Sequence, residues 1–499
     1  MAANPDKPDE AQYFGLPDAA REGARSIIPD HVRRSFEDSI KCGDRETGTF
    51  VIVGIKGSGK TALRRYLESR DRIPTWNLDS DHPDLTMDVR DLQGPSGVLK
   101  NGIAFRLLNT FANQLLKRPE SFGLPQRETG VIREALRKAG GVLRGVLEDV
   151  DVDLTLPLLR INLGRIFQSD ASAVVREANQ DLVNGLIAEL RGSRAYVMID
   201  DVDDIFTGSE RNPLFVEGLV RAAEDMNDLA GAKMHTLLFL KSGVFRAWFE
   251  RQRELDKVAH RIQEVSWDDR SLVELIARRI ARIRGIAVPN EPIADPERLW
   301  AQEFDWSGEP SFAAFSERFT RLCMSGPRDM IALANAAKKE AAGGERITAA
   351  HLAKVVRKYS ELKLFGINAD FGGVYEDISQ FTEMVFQGCT SPMSGEDAAA
   401  WIEEHGVVNK RVFDRFQKFD WYSAAGNKRL LAMMFEIGVL GRLLEDGSAE
   451  YAIQRSGATA GELLDSTLVV HPALQPYLSV RPASLRSPKA TAPRKSRRR

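Results

Sequence analysis

Residues 50–61 read Phe50-Val51-Ile52-Val53-Gly54-Ile55-Lys56-Gly57-Ser58-Gly59-Lys60-Thr61. An apolar run, a glycine-rich turn and then Ala62-Leu63-Arg64-Arg65-Tyr66-Leu67 predict a buried strand, a loop and a helix in that order. This is the pattern of a phosphate-binding loop. Glycine at 54, 57 and 59 lets the backbone curl until its N–H groups face phosphate oxygens. The helix N-terminus adds its positive end. Lys60 is suited to the β- and γ-phosphates, and the Thr61 hydroxyl to Mg2+. Gly54, Ile55, Lys56, Gly57, Ser58, Gly59, Lys60, Thr61 and Ala62 are therefore the candidate nucleotide-binding residues. The expected cofactors are ATP and Mg2+, although no base-reading motif separates ATP from GTP.

A second half of such a site lies further along. Ala195-Tyr196-Val197-Met198-Ile199 is an apolar strand that runs into Asp200-Asp201-Val202-Asp203-Asp204. A carboxylate at the end of a buried strand can hold Mg2+, and Asp200 is the candidate, together with Thr61. Asp201 is the candidate general base for an attacking water. Asp203 and Asp204 read equally well as a solvated turn capping the next helix.

Strands are expected at Phe50–Val53, Thr75–Leu78, Tyr196–Ile199, Thr236–Leu240 and Gln263–Val265, separated by helical patterns. Apolar strands alternating with helices predict an α/β fold, a P-loop NTPase core with a mostly parallel sheet covered by helices on both faces. Helical patterns at 104–108 and 131–147, and a hairpin turning near Pro157, fall between the second and third strands. They suggest an insertion over about 100–175 that decorates the core. A strand between the phosphate-loop strand and the Asp200 strand would mark the additional-strand class of P-loop proteins. The Thr236–Leu240 strand ends in Lys241-Ser242, where that class carries a polar sensor of the γ-phosphate. Lys241 or Ser242 fits that role, and a plain strand-end loop fits as well.

Ile199-Asp200-Asp201-Val202-Asp203 resembles the Walker B segment of bacterial STAND-type and KAP-type P-loop ATPases. The later part resembles the lid of AAA+ proteins of the replication-initiator type. Gly326-Pro327-Arg328-Asp329-Met330-Ile331 is similar to their sensor-2 segment, with the arginine one position early. By that resemblance Arg328 reaches the γ-phosphate from the lid. A clean arginine-finger box is missing; Arg261 is the best candidate for that catalytic part, and Arg246 is another. The alternative for either is a solvated helix face. The resemblance spans about residues 46 to 360. It implies an ATPase, a homo-oligomer as one arrangement, and a place in bacterial defence for which no residue argues directly.

Five segments follow: a leader and helix over 1–45, the nucleotide-binding domain over 46–265, a helical lid over 266–360, a winged-helix-like domain over 361–475, and a basic tail over 476–499. The winged-helix expectation rests on helices near Val374–Phe386, Gly395–Glu404, Lys410–Phe416 and Lys428–Ile437. They precede a hairpin whose turn is Glu445-Asp446-Gly447. Lys410, Arg411, Arg415, Lys418, Lys428 and Arg429 could face DNA phosphates, yet such modules also serve protein contacts. In residues 481–499, Arg481, Arg486, Lys489, Arg494, Lys495, Arg497, Arg498 and Arg499 stand without an acid. Prolines and serines among them predict disorder, suited either to nucleic acid or to solubility alone.

The 499 residues carry a formal net charge of −2, so the whole chain is no general polyanion binder. No apolar run approaches the ~18 residues of a membrane span. Cys42, Cys323 and Cys389 form no ligand or disulfide pattern, and the start lacks a secretory signal, which predicts a cytoplasmic protein without a structural metal. Three classes stay open: an ATP-driven switch acting on an unidentified protein partner, a DNA-binding ATPase of initiator or loader type, and a small-molecule kinase. The basic tail and winged module fit the third least.

Overall fold

A computed structural model of the chain describes residues 12–17, 31–32, 37, 40, 48–71, 75–78, 96–117, 130–144, 172–190, 194–200, 212–242, 245, 259–289, 291–324, 326–341, 344–423, 425–451 and 459–483. Two compact units divide the chain, Met1–Thr348 and Ala349–Arg499.

The first unit is built on five strands: β1 (Val51–Gly54), β2 (Thr75–Leu78), β3 (Ala195–Ile199), β4 (Met234–Lys241) and β5 (Ile262–Glu264). Each expected strand is present, displaced by no more than two residues. Their order across the sheet is β2-β3-β4-β1-β5, and every neighbouring pair is parallel. Strand β4 thus lies between β1 and β3.

Side chains of β1, β3 and β4 alternate between two apolar layers, as the period of two dictates. Val51, Val53, Val197, Ile199, Leu238 and Leu240 face one layer. Ile52, Tyr196, Met198, Leu237 and Phe239 face the other, where they meet Leu63 and Leu67 of the helix α1 (Lys60–Asp71). A sheet buried on both faces needs continuous apolar strands, and β1, β3 and residues 237–240 of β4 have them.

The first layer is filled by α2 (Ser96–Lys117), α3 (Gly130–Arg144), α4 (Ser172–Glu189) and α5 (Asn212–Ala230). Phe105, Leu108, Phe111, Leu136, Val175, Leu182 and Leu186 belong to one buried cluster with Val197 and Ile199. The segment expected to decorate the core therefore supplies helices to the sheet's own main layer. The hairpin expected near Pro157 falls outside the described residues. Helix α4 went unread in the sequence because its buried side carries Asn179 and Glu189 among the apolar residues. Both have partners far along the chain: the Asn179 Nδ2 donates to the Asn101 carbonyl at 2.9 Å, and Glu189 accepts the N–H of Ile132, at the start of α3, at 3.0 Å.

After β5 come α6 (Asp269–Ile283), α7 (Pro296–Trp300), α8 (Phe312–Thr320) and α9 (Pro327–Glu340). Their centre is aromatic, with Trp300, Phe304, Phe315 and Phe319 all fully buried. Asp268 caps α6 by accepting the N–H of Ser271.

In the second unit, α10 (Ala349–Phe371) and α11 (Ile378–Phe386) lead to β6 (Thr390–Ser391), β7 (Met393–Ser394), α12 (Gly395–Ile402), α13 (Lys410–Phe416), α14 (Asp420–Ser423) and α15 (Asn427–Glu436). Then follow β8 (Leu440–Leu443), β9 (Ala449–Glu450), α16 (Ala460–Leu464), β10 (Thr467–Val470), α17 (Gln475–Leu478) and β11 (Arg481–Pro482). The four-stranded sheet has the order β7-β10-β8-β9 and is antiparallel throughout. The expected hairpin is β8–β9. Gly447 takes φ +83 in its turn, a conformation few side chains tolerate.

His471 is buried behind β10, its ring 4.3 Å from that of Tyr451 and its Nδ1 accepting the Ala473 N–H at 3.1 Å. Burial first, and then the charge of Lys363, pushes its pKa down to about 3. The unfolded chain therefore takes up a proton below pH ~6.5 that the fold refuses until about pH 3. This contribution to stability is complete above pH ~6.5 and is lost as pH falls below it, roughly 2 kcal/mol by pH 5. Thermal unfolding should move down between pH 7 and 5, and the slope should flatten in His471→Gln. An equal slope in the variant would assign the effect to other groups. Among the described residues, no helix is long and apolar enough to cross a membrane.

Candidate functional site

Strand β1 ends at Gly54, and the chain turns through residues 55–59 before α1 begins at Lys60. All nine candidate nucleotide-binding residues, Gly54–Ala62, lie on this strand, loop and helix start. Gly57 and Gly59 take φ +88 and +93, and the Ser58 N–H closes a turn on the Ile55 carbonyl at 3.1 Å. A Cβ at Gly54 would sit 2.4 Å from the Ser58 Oγ, so a side chain there would displace that hydroxyl. That Oγ is buried and has no hydrogen-bond partner among the described residues. Lys60 folds back into the loop, its Nζ donating to the carbonyls of Gly54 at 2.8 Å and Ile55 at 3.2 Å.

Asp200 follows β3 and is 1% exposed. Its carboxylate accepts the Thr61 hydroxyl at 3.0 Å, so the two expected Mg2+ ligands, which lie 139 residues apart in sequence, meet. Arg64 brings Nε to 3.5 Å from the same oxygen. Burying a carboxylate is costly unless it is paired, and Thr61 with Arg64 supplies the pairing. Arg64 thus joins the candidate site, although its sequence position had suggested no role. Its spacing was the available signal, since residues three apart share a helix face.

Beyond β5 the chain touches the same loop again. The Trp267 indole N–H donates to the Ser58 carbonyl at 2.7 Å. The Arg328 N–H, in the first turn of α9, points at the Gly57 carbonyl at 3.5 Å. The structure thus brings Arg328 to the glycine-rich loop together with Lys60, Thr61 and Asp200. Trp267 had no role in the sequence reading.

Arg261 is not brought there. It precedes β5, whose Ile262 is level with Val51 at the start of β1, while the glycine-rich loop leaves the other end. Three residues of strand separate those ends, about 10 Å. The Arg261 guanidinium stacks on Phe50 at 4.5 Å and donates to the Gly48 carbonyl at 3.3 Å, and the residue is buried. Its role is to pack the far edge of the sheet, in place of the finger expected. Lys241 is level with Gly54 in the β1–β4 register. The next residue, Ser242, is buried, and its hydroxyl has no partner among the described residues. Asp201, Asp203, Asp204 and Arg246 lie outside the described residues.

In the second unit Lys410, Arg411, Arg415, Lys418, Lys428 and Arg429 are all exposed. Arg415 has an acid near it, Asp377, at 3.9 Å. The basic tail beyond residue 483 lies outside the described residues.

Residues 270–368 match the family model described as the FunZ-associated C-terminal helical domain. The match covers α6 to α9 and most of α10, a minority of the chain. No curated protein matches the sequence.

Proposed function

We propose that the chain binds and hydrolyses ATP with Mg2+, as a nucleotide-driven switch of the P-loop type. The observation that carries this reading is the Thr61–Asp200 hydrogen bond, 3.0 Å long, at the foot of the glycine-rich loop. A hydroxyl and a buried carboxylate brought together there are the oxygen donors that Mg2+ takes in such sites. The sheet order supports the reading too, because β4 lies between β1 and β3 as the additional-strand class requires.

The residues present fit the group. The Ser58 Oγ is a buried donor with no partner among the described residues, and it occupies the space that a Cβ at Gly54 would need. Bound Mg2+-ATP would supply a transferable phosphoryl group already polarised by the metal. The chain's part is positioning and charge. Loop N–H groups at the start of α1 would hold phosphate oxygens. The Lys60 ammonium would exchange its two carbonyl partners for phosphate. Thr61 and Asp200 would hold the metal, and Asp201, the base expected from the sequence, would accept the proton of the attacking water. Ser242, next to the residue level with Gly54, is the sensor that the observations favour over Lys241. Arg328 answers from the lid.

A DNA-bound ATPase is the second reading. The exposed basic residues of α13 and the first turn of α15 support it, and so does the sheet order β7-β10-β8 beside α15, which suits a winged helix. Phosphate release from ATP, with and without duplex DNA at low salt, tests both. Mg2+-dependent release that is lost in Asp200→Asn is expected. Asp201→Asn should keep ATP binding and lose release. Stimulation by DNA that disappears when the arginines and lysines after residue 483 are neutralised would favour the second reading. A chain that neither binds nor cleaves ATP would sink the first.

A further inference from the structure

Residues 12–17 sit far from the loop in sequence, yet they are gripped by the helices that touch it. The Phe14 side chain is completely buried and stacks on Phe304 at 5.7 Å. Asn335 on α9 reads the backbone on both sides of that ring. Its Oδ1 accepts the Phe14 N–H at 2.8 Å, and its Nδ2 donates to the Gly15 carbonyl at 3.0 Å. Arg279 on α6 donates to the Phe14 carbonyl at 2.5 Å. The Tyr13 hydroxyl donates to Glu303 at 2.7 Å, and Lys338 of α9 lies 4.7 Å above the Tyr13 ring. Glu303 is itself buried and accepts from Lys338 at 2.9 Å and from Arg284. The gripped segment is a tight turn, closed by the Gly15 N–H on the Gln12 carbonyl at 2.8 Å, with Gly15 at φ +88.

This arrangement has the parts of a peptide receptor. One pocket swallows an aromatic ring, one side-chain amide pairs with the main chain, and one buried carboxylate selects a phenol. Backbone pairing gives affinity and the two ring sites give specificity, the division of labour seen in peptide recognition generally. Residues 13–17 are turn and irregular chain, and these contacts hold them. The same two helices reach the glycine-rich loop at their other ends. Helix α9 carries Asn335 and Lys338 near its end and Arg328 at its start, and α6 carries Arg279 and begins two residues after Trp267.

We propose that the helices α6 to α9 form a peptide-binding clamp, that Tyr13-Phe14-Gly15 is its releasable internal ligand, and that release loosens α6 and α9 where they abut the glycine-rich loop. The clamp stands on contacts independent of nucleotide chemistry. Only the meaning of a loosened loop rests on the ATPase reading.

The test uses the full chain with Tyr13→Ala and Phe14→Ala together, which empties the clamp, and a fluorescent peptide of residues 11–18. Saturable binding is expected in this variant and not in the parent. In the parent the tethered segment competes at an effective concentration on the order of 1 mM. Adding Asn335→Leu to the emptied chain should abolish binding. Hydrogen exchange over Trp267 and residues 326–340 should quicken in the emptied chain and slow again with peptide. A folded, emptied chain that binds no peptide would overturn the clamp. Unchanged exchange around the loop would overturn the coupling. If the double variant fails to fold, the parent decides: the Phe14 and Gly15 amides should exchange through a partial opening, before the unit unfolds. Exchange only by global unfolding would make the segment a fixed part of the core.

Discussion

Lys60→Ala should release phosphate from ATP at least about 10²–10³ times more slowly than the parent, the usual effect of deleting one positive donor from a charge-stabilised reaction. Its unfolding temperature should hardly move. The two expectations differ because Lys60 does little for the fold that its own burial does not offset. The side chain is 8% exposed and satisfies two carbonyls, Gly54 and Ile55. Removing it ends those bonds and also ends the desolvation of an ammonium, and a loop carbonyl can turn to water. In the proposed reaction no such exchange would be available, because nothing else would take the place of the ammonium once it had left the two carbonyls for phosphate. Phosphate release measured beside thermal unfolding separates the two. A folded Lys60→Ala chain with normal release would move hydrolysis away from the Gly54–Thr61 loop altogether.

What the sequence revealed, and what it hid, follows from how far each interaction reaches along the chain. The loop was legible because its glycines, Lys60 and Thr61 are neighbours, and each is constrained by local geometry. The strands were legible because a sheet buried on both faces demands unbroken apolar runs, as at 195–199. Asp200 could be chosen because it ends such a run. Helix α4 escaped because Asn179 and Glu189 blur its apolar stripe, and their partners, Asn101 and Ile132, stand 78 and 57 residues away. Arg261 misled for a related reason. Its position just before a core strand suggested an exposed finger, but strand register, invisible in one sequence, puts it beside Phe50 at the wrong end of the sheet. The clamp on residues 12–17 involves partners more than 260 residues distant, and no local pattern announces it.

Trp267 should show the largest effect among residues that touch no candidate ligand. It contacts three things at once. Its ring packs against two buried clusters, the one under the sheet that includes Val265 and Leu63 and the one formed by Val32, Leu275 and Ile331. Its N–H holds the Ser58 carbonyl at 2.7 Å. Its Cδ1 would lie 2.9 Å from a Cβ at Gly326, a residue at φ +86 that opens α9 one turn before the Asp329 side chain accepts the Met324 N–H. Only glycine fits beside that ring in that conformation. Trp267→Ala removes all three contacts and should cost about 3–5 kcal/mol, mostly as lost packing. Trp267→Phe keeps much of the ring but strips Ser58 of its donor, for about 1–3 kcal/mol. Turnover should follow the hydrogen bond more closely than the packing. A loop displaced by ~1 Å can slow a positioned reaction about 10²-fold, even in a protein that remains folded. Phosphate release in Trp267→Phe, compared with its denaturant midpoint, makes the distinction. Release equal to the parent's, in a chain measurably less stable, would reduce Trp267 to a core residue. A large loss of release with a small loss of stability would make it the strut that fixes the loop against the lid.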